Sequence, residues 1–105
     1  MNSTRPDISI IVPVFNRSTI VTDTLDSIAA QTERPLALII VDNNSTDDSL
    51  AVVTEWAGRH KSPDFSVTVL SETTPGAPAA RNKGFESATT PYVMFFDSDD
   101  IMSPN

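Results

Sequence analysis

With 105 residues, 39% of them apolar and 20% charged, the chain has the size of one globular domain or part of one, and two domains or global disorder are excluded. Fourteen Asp and Glu against seven Lys and Arg leave a formal net charge of −7, which repels a phosphate backbone and argues against nucleic acid as a partner. Cysteine is absent, so disulfides, zinc-thiolate sites and a cysteine nucleophile are excluded too.

Residues 1–7 are polar and are expected to form a flexible segment ahead of a domain over 8–105. The apolar run that follows is too short, and too broken by Pro13, for a membrane span or a signal peptide, which points to a soluble, cytoplasmic protein. Residues 8–15 are rich in β-branched side chains without helical spacing and read as a buried strand ending near Pro13. From residue 18 or 19 to about 31, Val21, Leu25 and Ile28 recur at i, i+4 and i+7, which predicts an amphipathic helix. Pro35 ends it, and residues 36–41 form a second strand apolar on both faces.

Residues 42–47 are dense in cap and turn types and lead into a second helix with Leu50, Val53 and Ala57 on one face. Gly58 and the cations at 59–61 suit its end, and His60 there reads as a C-terminal charge rather than a catalytic base. Residues 65–70 alternate as a third strand, 71–78 form a loop with two prolines and a glycine, and 79–88 form a third helix. Its small face, Ala80, Gly84 and Ala88, could lie close against a sheet. Residues 92–97 form a fourth strand, buried on both faces, that runs straight into the carboxylates of Asp97, Asp99 and Asp100.

Alternation of strand and helix demands parallel strands joined by right-handed crossovers, and the expected architecture is a Rossmann-like α/β sheet with helices on both faces and the doubly wound strand order 3-2-1-4. In such a sheet ligands bind beyond the carboxyl ends of the strands, where the order reverses. Residues 15–17, 42–45, 71–72 and 97–100 therefore share one rim, with Phe15 and the acidic run adjacent. Alone, the acidic run is a solvated turn; on that rim it becomes a holder for a hard divalent cation such as Mg²⁺ or Mn²⁺. With only Gly58, Gly76 and Gly84 present, neither a dinucleotide fingerprint nor a Walker loop can be built. A calcium loop from Asp42 fails as well, because Asp47 and Val53 occupy its glycine and closing-acid positions.

Five stretches taken together, Ile-Ile-Val-Pro-Val-Phe-Asn at 10–16, Leu-x-Ser-Ile-x-x-Gln-Thr at 25–32, Ile-Ile-Val-Asp-Asn-Asn-Ser-Thr-Asp at 39–47, Ala-Arg-Asn-Lys-Gly at 80–84 and Phe-Phe-Asp-Ser-Asp-Asp at 95–100, resemble the N-terminal half of family 2 inverting glycosyltransferases of GT-A fold. The resemblance implies a nucleotide-diphosphate-sugar site formed by Pro13, Phe15, Asn16, Asp42, Asn43, Arg81 and Asp97. Phe15 matches an aromatic that stacks on the base, and Asp42 with Asn43 matches an acidic pair that reads base and ribose. Asp99, with Asp97 beside it, matches the Asp-x-Asp motif that holds Mn²⁺ or Mg²⁺ on the diphosphate. For Arg81 the alternative is a helix-start arginine paired with Glu72 or Glu86.

Two departures from the family pattern stand out. Asn43 replaces the second carboxylate of the pair. No residue matches the general base that activates the acceptor, which is expected downstream of Asn105, so the chain is expected to be a truncated donor-binding half, inactive alone. The implied reaction transfers a sugar to a hydroxyl on a sugar, lipid or protein acceptor, with the inner face of a membrane an option for the full-length enzyme. The alternatives are a non-catalytic sugar-nucleotide-binding or interaction module and a nucleotidyltransferase, whose glycine- and lysine-rich first loop is missing. A bare fourth strand also leads us to expect self-association.

Overall fold

The computed structural model describes residues 7–16, 18, 20–30 and 36–97. Apart from Asp7, the expected N-terminal segment lies outside them, as do Arg17, Asp99 and Asp100. Strands β1 (Ile8–Val14), β2 (Leu36–Asp42), β3 (Phe65–Ser71) and β4 (Tyr92–Phe95) alternate with helices α1 (Val21–Ala29), α2 (Ser49–His60) and α3 (Ala77–Ser87). All strand pairs are parallel, as the alternating pattern predicts, and their order is β3-β2-β1-β4, the doubly wound order expected.

Period-two alternation divides the core between the sheet's faces. Ile10, Val12 and Val14 of β1, with Leu36, Leu38 and Ile40 of β2, pack with Val21, Leu25 and Ile28 of α1 and with Val53 and Trp56 of α2. Ile11, Ile39 and Val41 face the other way and meet Ala80 of α3. Helices thus cover both faces, and every residue of the central β2 is buried. On the first face Trp56 meets Phe65 edge-on at 6.2 Å, and its indole N–H donates to Asp26 Oδ1 of α1 at 2.9 Å.

Four boundaries or faces differ from expectation, each for a local reason. Helix α1 begins at Val21 because the Ser18 N–H donates to Asp47 Oδ2 and so belongs to an inter-loop contact rather than a helical turn. Leu50 is exposed; α2 turns Ser49, Val53, Trp56 and Ala57 inward, since burying the indole outweighs burying a leucine. Helix α3 starts at Ala77 and carries Pro78 in its first turn, where a missing N–H costs no hydrogen bond. Strand β4 ends at Phe95 and is not buried on both faces: Tyr92, Met94 and Phe95 are exposed, because among the described residues β4 lies at the sheet edge and pairs only with β1.

Pro13 explains where that pairing stops. Phe96 N–H donates to Ile11 O at 2.9 Å, so the odd residues of β1 address β4, and the next donor on that side would be residue 13. Proline has no N–H to give, and the ladder ends there. Beyond this point the carboxyl ends of β1 and β4 are free to separate, and Pro13 lines the opening between them.

Candidate functional site

A cleft of about 500 Å³ opens at the carboxyl ends of the strands, lined by Pro13, Val14, Phe15, Asn43, Asn44, Pro75, Gly76, Ala77, Arg81 and Asp97. It lies at the reversal of strand order, where β1 separates its neighbours β2 and β4. Of the predicted residues, Pro13, Phe15, Asn43, Arg81 and Asp97 meet here, whereas Asn16 and Asp42 are not among those lining the cleft and Asp99 falls outside the described residues.

Each wall has its own chemistry. Phe15 follows β1 directly and stays 52% exposed, an uncovered aromatic face beside Pro13. Arg81 stands one turn into α3, whose first turn has no side-chain cap and whose positive dipole end therefore opens beside Gly76 and Ala77. Neither Glu72 nor Glu86 pairs with Arg81, which forms no ion pair among the described residues. Asp97 follows β4 and is exposed, its carboxylate likewise unpaired among the described residues. Among the described residues the cleft thus offers a flat apolar surface, a cationic wall and an unpaired carboxylate.

Two asparagines hold the rim. Asn16 adopts a left-handed conformation (φ 51°), and its Oδ1 accepts from the N–H groups of Thr46 and Asp47 at 2.8 and 3.2 Å. The Asn16 N–H in turn donates to Ser45 Oγ at 3.0 Å, so this residue ties the β1–α1 loop to the β2–α2 loop. Asn43 is buried; its Nδ2 donates to Thr74 O at 2.8 Å and to Glu72 O at 3.4 Å, while its Oδ1 accepts from Gly76 N–H at 2.9 Å. Asp42 is buried too, with Oδ2 accepting from Ser45 N–H at 3.3 Å and Oδ1 without a partner among the described residues.

Further carboxylates fasten the loops. Hydrogen bonds from the Ser49 side chain first, and then from the Ser49 and Ser18 N–H groups, hold the Asp47 carboxyl below its ordinary range. Glu72 is lowered in the same sense, chiefly by the Thr74 N–H and also by the charge of Lys83. His60 stacks on Trp56 at 4.1 Å and contacts the Trp56 carbonyl through Nδ1, in keeping with a helix-tail role.

Pro75, Gly76 and Ala77 escaped the sequence reading because they carry no reactive side chain. The available signal was one of only three glycines, set between two prolines just after the third strand; Gly76 indeed takes φ 111°, which side-chain-bearing residues rarely adopt.

The fold defines a Rossmann-like domain of GT-A type, with a cleft at the carboxyl ends of its strands. The chain belongs to glycosyl transferase family 2, whose family model matches residues 9–105. Among curated proteins it is 36% identical over 104 residues to the uncharacterized glycosyltransferase YibD of Escherichia coli K12, which covers 99% of this chain and 29% of YibD. Among solved structures it resembles the mannosyltransferase PcManGT from Pyrobaculum calidifontis in complex with GDP-Man and Mn²⁺, with a TM-score of 0.81 and 33% identity over 92% of this chain and 28% of that one. S. aureus TarS 1–349 in complex with UDP superposes with a TM-score of 0.79 at 28% identity, covering 95% of this chain and 29% of that one. The chain therefore spans about three-tenths of the length of each of these three.

Proposed function

We propose that this chain binds the nucleotide-diphosphate-sugar donor of an inverting glycosyltransferase, with the cleft as the donor site. The observation that carries this reading is the meeting of Phe15, Arg81 and Asp97 in one cleft at the strand reversal. A nucleotide requires an apolar plate for its base and positive potential for its phosphates; Phe15 supplies the first, and Arg81 with the start of α3 supplies the second. The neighbours solved with UDP and with GDP-Man and Mn²⁺ support the same ligand class. In the proposed transfer an acceptor hydroxyl, giving its proton to a general base of the full enzyme, attacks the anomeric carbon from the face opposite the departing nucleotide diphosphate, so that the carbon–oxygen bond to the diphosphate breaks as the new one forms and the centre inverts.

Among the described residues no three His, Cys, Asp or Glu side chains form a metal-holding group. A small divalent cation can be held by one or two carboxylates plus substrate phosphates, and the Asp97 carboxylate, unpaired among the described residues, stands on the cleft wall. We assign Asp97 and Asp99 as its protein ligands. Mn²⁺ or Mg²⁺ bound there would neutralise charge developing on the diphosphate leaving group. Arg81 would orient the phosphates, Pro13 and Phe15 would fix the plane of the base, and Asn16 and Asp42 would act from beneath by shaping the rim.

Calorimetric titration of the chain with UDP and with GDP, each with and without Mn²⁺, tests the reading. Saturable binding that requires Mn²⁺ and weakens in Asp97→Asn is expected; absence of binding for both nucleotides would overturn it. Tyr92, Met94 and Phe95 leave the β4 edge uncovered, so we further propose self-association through that edge, and a sedimentation coefficient independent of concentration would count against it.

A further inference from the structure

Asn43 occupies a position where the family resemblance expects a group that reads the base, yet its side chain is engaged elsewhere. Both N–H bonds of its amide point at carbonyls of the β3–α3 loop, Thr74 O at 2.8 Å and Glu72 O at 3.4 Å, and its Oδ1 takes the Gly76 N–H at 2.9 Å. Its backbone N–H donates to Val14 O at 2.7 Å. With 5% of the residue exposed and both amide donors spent, it has no donor left for a base.

We propose that Asn43 is a positioning residue: it fastens the β3–α3 loop to the sheet and so sets the cleft wall formed by Pro75, Gly76, Ala77 and Arg81. Gly76 is both the acceptor-bound end of this clamp and the residue from which α3 starts. Two turns further on, Gly84 lies so close to the sheet that a Cβ there would come within 2.5 Å of Ile11 Cγ2 and 3.3 Å of Val41 Cγ2. Helix α3 is thus held at its start by Asn43 and along its length by Gly84, which leaves Arg81, between them, one approach to the cleft. An amide is required at 43, because a carboxylate of the same shape would turn an acceptor oxygen toward two carbonyl oxygens.

This inference rests on the donor-site reading for its ligand, and the experiment separates the two. Asn43→Asp and Asn43→Ala are compared with the unaltered chain by amide hydrogen exchange at residues 72–77 and by calorimetric affinity for UDP and for GDP with Mn²⁺. The Ala variant removes the clamp without adding repulsion and keeps the test available if the Asp variant does not fold. Exchange at Gly76 should accelerate by about tenfold or more, and both nucleotides should weaken by the same factor, leaving their ratio unchanged. A changed UDP-to-GDP ratio with loop exchange preserved would make Asn43 a base reader and overturn the proposal, as would unchanged exchange and affinity. Faster exchange in a chain that binds neither nucleotide would uphold the clamp and remove the donor reading alone.

Discussion

The two faces of the sheet are packed by opposite means. Beneath α1 and α2 the core is filled by bulk: Trp56 and Phe65 are buried with Leu25, Ile28, Leu38 and Ile40. Beneath α3 it is closed by proximity, with Ala80 and Gly84 letting the helix backbone approach Ile11 and Val41. Bulk supplies most of the buried apolar area and hence most of the stability. Proximity fixes a distance, and the helix so fixed carries Arg81 into the cleft. One face chiefly holds the fold, and the other chiefly holds the site.

Breaking the bulky face should give the largest effect on stability. Trp56→Ala is expected to cost about 3–5 kcal/mol, through the cavity it opens and the lost bond to Asp26, measured by urea unfolding. Nucleotide affinity of the molecules that remain folded should hardly change; a large loss would show that the faces are not separable. Gly84→Ala adds one methyl to the close face and, with the branched Ile11 side chain in its way, should cost about 1–3 kcal/mol. Here affinity should fall as well, because α3 must move outward. Equal affinity in calorimetry would break the link between this face and the cleft.

These two substitutions also show what could be read in the sequence. The close approach of α3 was legible because Ala80, Gly84 and Ala88 recur on one helical face, and periodicity is a local property. Parallel pairing followed from alternation of strand and helix, whereas the order 3-2-1-4 came from the doubly wound arrangement common to such sheets. Trp56 was missed because Leu50, Val53 and Ala57 also make a helical stripe, and only the partners across the helix decide between them. The exposure of Tyr92, Met94 and Phe95 was illegible in part, since an apolar run looks alike whether or not something covers it. That Phe15, Arg81 and Asp97 share one cleft was legible, because each stands near a strand or helix end on the same rim. Asn16 and Asn43 were placed as ligand contacts, but their side chains bond residues about thirty positions away, a tertiary fact that no local pattern carries.

Phe15 sharpens the comparison from outside both cores. It is half exposed and contributes little to packing, so Phe15→Ala should leave the unfolding midpoint in place. Loss of a base–aromatic stack costs roughly 1–3 kcal/mol of affinity, or about 5- to 150-fold in the UDP dissociation constant. A fall in stability without a fall in affinity would assign Phe15 to the core instead.

The smallest expected effect separates the loops that serve each face. Asp47 fastens the start of α2, through Ser49 and Ser18, and Glu72 fastens the β3–α3 loop, through Thr74. Both carboxyls are lowered in the folded chain relative to their ordinary values, so the ionised forms favour folding. The stabilisation is therefore complete above the unfolded value, about pH 4, and is lost as pH falls through the lower folded values. Asp47 is exposed and Glu72 only partly buried, which keeps the contribution small. Carboxyl-carbon NMR titration should place both below their unfolded counterparts, and Asp47→Asn should flatten the acid limb of the stability profile. In Glu72→Gln at neutral pH the amides of residues 72–76 should exchange faster while those of α2 do not; parallel loosening of both regions would mean that the two faces respond as one unit.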